Sequence, residues 1–394
     1  MIQAEQFVAM ARDRGYSWYA GVPCSFLTPF INCVIGSREL SYISAANEGD
    51  AVAAASGATL GGQGAVVLMQ NSGLGNAVSP ITSLNHVFRI PVLLVVTLRG
   101  QPGLRDEPQH ELMGQVTPQV LEVMGVPWEY FPDEPDRIGP TLDRANAYML
   151  REQRPYALIM RKGTVAPYAL PPTAGAHTAA IRQANALRRF TSSGGECSSR
   201  TDALRRIVAL SPLRGTVIIA TTGFTGRELF ALADRPNQLY VVGSMGCASS
   251  LALGLSVARP DLRVIVIDGD GSALMRMGNF ATIGAYAGSN LVHIVLDNGV
   301  HDSTGGQATV SGGMSFACVA QACGYAEVME GSDLTLLDVL LGEASRGGPR
   351  LGCLKIRPGA PDNLPRPTLT PVEVGRRLMS HIGSVTSPVF ALSG

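Results

Sequence analysis

The segment from Val264 to Gln307 constrains the fold of this chain more than any other. An apolar run, Val264 to Ile267, leads into Gly269-Asp270-Gly271, and a second apolar run, Leu291 to Leu296, ends on Asp297-Asn298. The stretch between the two runs has helical character, so the pattern predicts two buried parallel strands joined by a right-handed crossover helix. Both polar clusters then lie at the carboxyl ends of neighbouring strands, where open α/β sheets bind ligands.

The two polar clusters carry oxygen ligands of the kind that magnesium prefers. The Asp270 carboxylate and the Asn298 side-chain carbonyl lie beside backbone that glycine exposes, an arrangement that suits Mg²⁺ bridging a diphosphate. A Gly-Asp-Gly turn alone is weak evidence, because short glycine motifs also occur by chance. The second strand and its asparagine favour the metal–diphosphate interpretation over an ordinary strand–turn–helix.

The same alternation of strands and helices runs through both halves of the chain. At 394 residues the chain is longer than one typical domain and suggests two. We predict an α/β protein with two doubly wound parallel-sheet domains, residues 1–172 and 200–394, joined by a Pro-, Thr-, Ala-, Gly- and Ser-rich linker at 173–199. Strand candidates are residues 17–21, 41–45, 65–70, 91–98, 156–160, 216–220, 238–242, 264–267, 291–296 and 350–356.

Composition and charge exclude several classes of partner. Basic and acidic residues balance at 31 each, so neither nucleic-acid binding nor a polybasic membrane surface is expected. The seven cysteines form no CxxC pair and fit reduced thiols. The amino terminus lacks signal-peptide features, and the apolar run at 90–98 is too short to cross a bilayer. We therefore expect a cytoplasmic protein.

The motifs placed above resemble those of the thiamine diphosphate-dependent decarboxylases. The Gly-Asp-Gly-to-asparagine segment is similar to that family's diphosphate-binding signature. Gly243-Ser244-Met245-Gly246 lies where the family has an apolar wedge under the cofactor, and Thr221-Thr222-Gly223 lies where it binds diphosphate. Glu48 follows an amino-terminal strand, as the family's cofactor-activating glutamate does. The resemblance implies pyrimidine-binding and diphosphate-binding domains without the middle domain of longer relatives.

Within that family, four strings are similar to the phosphonopyruvate decarboxylases. They are GVPCS at 21–25, QNSGLGNAVSPITSL at 70–84, RGQPGLRDEPQHELMG at 99–114 and LDNGVHDSTGGQ at 296–307. The resemblance implies non-oxidative decarboxylation of 3-phosphonopyruvate to phosphonoacetaldehyde and CO₂, in phosphonate biosynthesis. Sulfopyruvate decarboxylase is an alternative, although those enzymes usually divide the two domains between subunits. An acetolactate-synthase-like ligase and an inactive cofactor-binding subunit are further alternatives.

Glu48 is the residue to which the resemblance assigns cofactor activation. A carboxyl group hydrogen-bonded to the aminopyrimidine favours the tautomer that removes the thiazolium proton, and an apolar setting keeps its own proton available. We expect the alanines at 51–60 to supply that setting. The alternative is an acidic residue at a helix amino terminus, placed for the helix dipole.

The resemblance also implies a set of cofactor and metal ligands. Met245 is expected to be the wedge, and the Gly243 carbonyl to accept from the cofactor amino group. Metal ligands are expected to be Asp270, Asn298 and the backbone carbonyl of Val300. The full expected cofactor set is Glu48, Thr222, Gly223, Gly243, Ser244, Met245, Gly246, Asp270, Gly271, Ser272 and Asn298.

A phosphonate beside a 2-keto acid is a dense pair of anions, so cationic and hydroxyl groups are expected around it. The polar residues at the predicted sheet edges are Ser25, Asn71, Ser72, Arg99, Arg105, His110, Ser303 and Thr304. His110 and His301 are candidates for proton transfer; His110 is followed by Glu111, where relatives have a second histidine. In the family, the two domains that share one cofactor come from different subunits, which implies at least a homodimer with sites at the subunit interface.

Overall fold

The computed structural model describes residues 1–170, 186–192, 196–342 and 347–384. Two units account for these residues, one up to residue 170 and the other from residue 186. Most of the predicted linker, residues 173–185 and 193–195, lies outside the described residues, as does the end of the chain from residue 385. No helix within the described ranges has both the length and the hydrophobicity of a membrane span.

The first unit is built around a parallel sheet. Its strands are β1 (Tyr16–Gly21), β2 (Ser41–Ser44), β3 (Gly64–Gln70), β4 (Leu93–Thr97), β5 (Trp128–Tyr130) and β6 (Tyr156–Met160). Within residues 1–170 the strand order is β2-β1-β3-β4-β6-β5, and every neighbouring pair is parallel. Its helices are α1 (Ala4–Arg12), α2 (Thr28–Gly36), α3 (Glu48–Leu60), α4 (Leu74–Pro80), α5 (His86–Phe88), α6 (Glu111–Val123) and α7 (Pro135–Glu152).

Burial explains why these residues form these elements. The apolar runs of β3 and β4 are almost completely buried, as expected for central strands covered on both faces. From Gly49 onward α3 is buried along its whole length, and its alanines allow close contact with β1, β3 and α4. On one side of the sheet, the rings of Phe7, Phe30 and Phe131 pack together in the core.

The second unit repeats the architecture with a longer sheet. Its strands are β7 (Arg188–Phe190), β8 (Thr216–Ala220), β9 (Gln238–Tyr240), β10 (Arg263–Gly269), β11 (Leu291–Asp297), β12 (Val300–His301), β13 (Gln307–Ala308), β14 (Glu327–Gly331) and β15 (Arg350–Lys355). Among the residues described there, the main sheet has the order β7-β14-β15-β11-β10-β8-β9 and is parallel throughout. Strands β12 and β13 form a separate antiparallel pair.

Helices α8 to α15 accompany the second sheet. They are α8 (Arg200–Ala209), α9 (Phe224–Leu232), α10 (Ala248–Ala258), α11 (Asp270–Met275), α12 (Asn279–Tyr286), α13 (Phe316–Ala322), α14 (Thr335–Gly342) and α15 (Pro371–His381). The two doubly wound sheets confirm the predicted fold class. In each unit the chain reverses its direction of strand addition, between β1 and β3 and between β8 and β10, and such switch points place a crevice at the strand carboxyl ends.

Four elements differ from the sequence prediction: β5, β14, β7 and the start of α3. Strands β5 and β14 were not predicted, because short runs containing Glu and Trp give little periodic signal. Arg188–Phe190 lies in the predicted linker but pairs with β14 at the sheet edge. Helix α3 begins at Glu48, three residues earlier than the alanine run suggests, because the Asn47 side chain accepts a hydrogen bond from Gly49 N at 2.8 Å.

Candidate active site

A polar cleft opens at the switch point of the second unit, where β8, β10 and β11 end. It is lined by Arg200, Thr221, Thr222, Gly223, Phe224, Thr225, Met245, Gly269, Asp270, Gly271, Ser272, Leu296, Asn298, Val300, His301, Asp302 and Ser303. The register pairs Gly269 with Leu296, which brings the residues after β10 and β11 to the same sheet edge. The structure therefore brings together most of the cofactor residues predicted in this half of the chain.

One wall of the cleft is the amino terminus of α9. Gly223 precedes the helix with φ of +88°, a conformation that favours glycine. Because it has no side chain, it cannot cap the first backbone N–H groups of the helix. These unsatisfied N–H groups and the helix dipole suit an anion. A Cβ at Gly223 would lie 3.5 Å from Ser303 Oγ, so Ser303 faces this wall.

The floor of the cleft is formed at Gly271. A Cβ there would lie 2.5 Å from Cε1 of His301 and 3.3 Å from Cε of Met245, so both side chains close over the glycine. Met245 follows Ser244, a non-glycine residue with φ of +50°, and precedes Gly246 with φ of +92°. This turn directs the methionine into the cleft, as expected of the predicted wedge.

Ser272 differs from its predicted role. Its hydroxyl donates to Asp268 Oδ1 at 2.7 Å, accepts from Gly246 N at 3.1 Å and lies 2.8 Å from Thr221 Oγ1. With its proton held by Asp268, the hydroxyl ties three strand ends together and has no proton for an anion in the cleft. Ser272 lines the cleft, as expected of a residue near the diphosphate, but in this arrangement its hydroxyl proton goes to the buried carboxylate of Asp268.

Asp268 belongs to a buried polar chain behind the cleft. Burial raises the pKa of Tyr325 well above its ordinary value, so its hydroxyl keeps its proton, and it lies 3.1 Å from His293 Nδ1 in hydrogen-bond contact. His293 Nε2 lies 3.1 Å from Asp268 Oδ2, and because a carboxylate only accepts, the tautomer that satisfies this contact carries its proton on Nε2. All three side chains are fully buried, which fixes Asp268 and hence Ser272.

The three predicted metal ligands differ in their surroundings. Asp270 is buried, and its Oδ2 accepts from Thr309 Oγ1 at 2.5 Å. Asn298 and Val300 are half-buried, and Asn298 Oδ1 accepts from Val300 N at 3.2 Å. Among the described residues, no group of three or more His, Cys, Asp or Glu side chains could hold a metal. One carboxylate, one amide oxygen and one backbone carbonyl are instead a ligand set that suits a Mg²⁺ ion whose other ligands include phosphate oxygens.

The remaining predicted residues of this half are placed unevenly. Thr222 lines the cleft, but its hydroxyl donates to Val242 O at 3.0 Å. Gly243 is half-buried in the turn before Met245 and is not part of the cleft lining. Thr304 is exposed and donates to His301 O at 3.2 Å, so its hydroxyl stabilises the local turn instead of facing the cleft.

Glu48 lies at the switch-point edge of the first unit. It is half-buried, and its Oε2 accepts from Asn76 Nδ2 at 2.8 Å. A Cβ at Gly73 would lie 2.3 Å from Glu48 Oε1, so the carboxyl group rests against glycine backbone. The observed contacts of the carboxyl group are with Gly73 and Asn76, and the alanines of α3 lie buried in the helix that Glu48 begins.

Arg99 is held by an acidic residue in its own loop. It donates two hydrogen bonds to Asp106, at 2.8 Å and 2.5 Å, and a third to Ser25 Oγ at 3.2 Å. Its guanidinium also lies 4.7 Å from the centre of the Phe26 ring. The Arg99 hydrogen bond holds the pKa of Asp106 far below its usual range. The Arg99 charge is thus largely offset within the loop.

The other first-unit candidates lie around the same sheet edge. The Asn71 side chain is buried and donates to Arg99 O at 2.9 Å and Thr117 Oγ1 at 3.0 Å. Ser72 is exposed and accepts from Gln70 Nε2 at 2.6 Å. His110 is buried, and its Nδ1 has no hydrogen-bond partner within the described residues. Arg105 is exposed in the loop.

Sequence reasoning missed four residues that hold these groups in place: Asn76, Asp106, Arg200 and Asp302. Asp106 and Asp302 each lie within seven positions of the residue that they contact, so a search for nearby opposite or complementary polar groups would have found them. Asn76 and Arg200 are 28 and 102 positions from Glu48 and Asp302, and only the fold brings these pairs together.

Both halves of the chain are similar to known protein families. Residues 1–120 match the amino-terminal TPP binding domain of the thiamine pyrophosphate enzymes, and residues 222–340 match the carboxy-terminal TPP binding domain. The fold and the cleft are those of a thiamine diphosphate enzyme. The chain is 43% identical to phosphonopyruvate decarboxylase from Streptomyces viridochromogenes over 97% of its own length and 95% of that protein. It belongs to the thiamine diphosphate-dependent decarboxylases, in the family that includes the phosphonopyruvate decarboxylases.

A more distant sequence relative and a solved structure are also similar to this chain. A sulfopyruvate decarboxylase from Methanosarcina acetivorans is 30% identical over 81% of this chain and 82% of that protein. The thiamine diphosphate-dependent 4-hydroxybenzoylformate decarboxylase from Rhodococcus jostii has a similar structure, with a TM-score of 0.68 and 14% identity over 91% of this chain and 99% of that one. The latter likeness concerns the fold alone.

The residues of the cleft fit the cofactor that this family uses. The uncapped amino terminus of α9 and the side-chain-free Gly223 and Gly271 leave room for a diphosphate close to backbone N–H groups. Asp270, Asn298 and Val300 line the same cleft, and their carboxylate, amide and backbone oxygens are of the kind that a bridging Mg²⁺ would take.

Proposed function

We propose that this chain catalyses the thiamine diphosphate- and Mg²⁺-dependent, non-oxidative decarboxylation of 3-phosphonopyruvate to phosphonoacetaldehyde and CO₂, in phosphonate biosynthesis. The observation that carries the proposal is the 43% identity to a phosphonopyruvate decarboxylase over 97% of the chain. The cleft in the second unit supports it, because its residues suit a diphosphate and a divalent cation.

Bound thiamine diphosphate supplies the carbon nucleophile and the electron sink for decarboxylation. Asp270, Asn298 and the carbonyl of Val300 would hold Mg²⁺, and the amino terminus of α9 would bind the diphosphate. Met245 is the apolar support under the cofactor. Gly243, Ser244 and Gly246 form the turn that carries it.

Glu48 is the residue proposed to exchange a proton with the cofactor. Its Oε2 already accepts from Asn76, so Oε1 is the oxygen that can hold and release the proton. Gly73 allows the carboxyl group its position, since any side chain there would overlap it. The bond to Asn76 therefore assigns the two carboxyl oxygens different tasks.

The proposed substrate set comes from two loops. Arg99 is positioned by hydrogen bonds to Asp106 and Ser25, so its guanidinium is already ordered before a substrate binds. Asn71, Ser72, Arg105 and Ser303 complete the polar set that we assign to the phosphonate and carboxylate, and Thr304 belongs to it through the turn that carries Ser303. His110 and His301 are the candidates that deliver a proton to the product carbon, and the first is supported by its Nδ1, which no described residue contacts through a hydrogen bond.

The proposal includes assembly into a homo-oligomer of at least two chains. The family resemblance supports sites built from the first half of one chain and the second half of another. The small anionic 2-keto acid is the expected partner of each site.

Sulfopyruvate decarboxylation is the second candidate. The relative from Methanosarcina acetivorans aligns with 81% of this chain, so it spans parts of both halves. The presence of both domains in one chain therefore does not distinguish phosphonopyruvate decarboxylation from sulfopyruvate decarboxylation. The lower identity, 30% against 43%, makes it the less favoured candidate.

The test is product formation by the dialysed protein. With 3-phosphonopyruvate we expect aldehyde and CO₂ in equal amounts when thiamine diphosphate and Mg²⁺ are added, and neither when either cofactor is omitted. Aldehyde formed without added cofactor, or no product with both present, would contradict the proposal.

A further inference from the structure

The Asn298 side chain has both of its polar atoms engaged by the loop that follows it. Its Nδ2 donates to Asp302 Oδ2 at 2.7 Å, and its Oδ1 accepts from Val300 N at 3.2 Å. An asparagine amide is nearly symmetric in shape, so only its hydrogen-bond partners decide which atom faces which way. The neighbours of Asn298 therefore determine whether oxygen or nitrogen is presented to a ligand.

Asp302 is itself held in place by a buried arginine. Arg200 Nη2 donates to Asp302 Oδ2 at 2.6 Å, and the backbone N–H of Gly359 lies 3.1 Å from the same oxygen. The Arg200 side chain is only 7% exposed, and its other terminal nitrogen donates to Glu228 Oε1 at 2.7 Å. Asp302 thus occupies one fixed position, with donors on all sides.

A carboxylate paired with a guanidinium accepts hydrogen bonds and donates none. The amide of Asn298 must then turn its N–H₂ group toward Asp302, which leaves Oδ1 on the opposite side. With the amide reversed, Oδ1 would face the carboxylate oxygen, and the N–H₂ group would occupy the position of a cation ligand. Both contacts would be repulsive.

We propose that Asp302, held by Arg200, is a positioning residue that fixes the Asn298 amide with its oxygen toward the cation of the cofactor. This rests on the proposed function, in which Asn298 is a metal ligand. Partners of this kind, which orient a ligand through its second polar atom, typically change metal affinity about 10- to 100-fold when removed.

The experiment measures Mg²⁺ binding to the full-length, metal-free protein by calorimetry, at saturating thiamine diphosphate. Asp302→Ala is expected to weaken Mg²⁺ binding about tenfold or more, because the amide loses its orienting acceptor. Asp302→Asn retains an oxygen that can accept from Asn298 and is expected to stay within about threefold of the wild type. Asp302→Ser replaces the alanine variant if that one does not fold.

Glu228→Gln is the matched control, because it breaks the other ion pair of Arg200 without touching Asn298. It is expected to lower the melting temperature of the metal-free protein as the Asp302 variants do, yet to leave Mg²⁺ affinity within about threefold. Wild-type affinity in Asp302→Ala, or an equal loss in Glu228→Gln, would overturn the inference. If the wild type itself bound neither Mg²⁺ nor thiamine diphosphate, the proposed function would fail instead.

Discussion

At the scale of single residues, the candidate site depends on side chains whose freedom has been removed by a neighbour. Asn76 holds one oxygen of Glu48, Asp106 holds Arg99, and Asp302 holds Asn298. Each partner is a short polar group that can satisfy only one orientation of the functional side chain. Such ordering lowers the entropy that must be lost when a substrate or cofactor binds.

Gly73 gives the sharpest prediction at this scale. Gly73→Ala places a methyl group 2.3 Å from Oε1 and 2.5 Å from Cγ of Glu48, so the Glu48 side chain must move away from its present position. We expect kcat/KM for decarboxylation to fall about tenfold or more, with little change in melting temperature, because small displacements of catalytic groups are costly.

Gly75→Ala is the control for that variant, since nothing lies within 4 Å of a Cβ at this exposed position two residues along. It is expected to retain wild-type activity within about twofold, because alanine is tolerated in an exposed helix. If Gly73→Ala were as active as Gly75→Ala, Glu48 would not be the residue that acts on the cofactor.

At the scale of elements, the loop from Arg99 to His110 is organised around one carboxylate. Asp106 accepts from the Arg99 side chain and from the backbone N–H groups of Gly100 and Glu107. Gly100 has φ of +72°, and a Cβ there would lie 2.0 Å from His110 O, so the loop packs closely on the start of α6. This packing keeps Arg99 and His110 at the edge of the first sheet.

The Arg99–Asp106 pair predicts a pH dependence of stability. The pKa of Asp106 is lowered in the folded state by the Arg99 hydrogen bond, so the pair stabilises the protein above the unfolded pKa of about 3.9 and loses this effect as pH falls through the lower folded value. Asp106→Asn is expected to lower the melting temperature by about 2–4 °C near neutral pH.

The difference between wild type and Asp106→Asn should shrink as pH is lowered from about 5 toward 2, because Asp106 in the unfolded chain then takes up a proton that the folded, Arg99-paired carboxylate does not bind. Thermal unfolding at a series of pH values measures it. A difference that stays constant or grows with acidification would show that the carboxylate charge does not stabilise this loop.

The elements that could be predicted from the sequence are the strongly apolar ones. Strands β8 and β6 were predicted with their observed bounds, and β10 and β11 to within two residues, because buried parallel strands are continuous apolar runs. Strand β14 and edge strand β7 depend on pairing partners far along the chain and give no local signal. The motif residues of the cleft were predicted, but the direction of the Ser272 and Thr304 hydroxyls was not, since it depends on Asp268 and His301 O.

At the scale of the whole molecule, the proposed assembly can be tested by complementation. Glu48→Ala and Asp270→Ala are each expected to be inactive as separate proteins, with the fold retained. If one site takes Glu48 from one chain and Asp270 from another, co-expressed chains should recover activity. Random pairing of two chains leaves half of the dimers mixed, each with one intact site, which gives roughly a quarter of wild-type activity.

The baseline for that experiment is a mixture of the two variants that were purified separately and have not exchanged chains. Absence of recovery in co-expressed, co-purified chains would contradict sites shared between subunits. Sedimentation at assay concentration complements the test, and an active protein that sediments as a single chain would contradict the assembly itself.

The most direct test of the central claim is a steady-state comparison of 3-phosphonopyruvate, sulfopyruvate and pyruvate with the fully loaded enzyme. The family relationship favours the phosphonate as the second anion of the substrate. We expect kcat/KM for 3-phosphonopyruvate to exceed that for sulfopyruvate by about tenfold or more, and pyruvate to be poorer still. A higher kcat/KM for sulfopyruvate or for pyruvate would contradict the assignment.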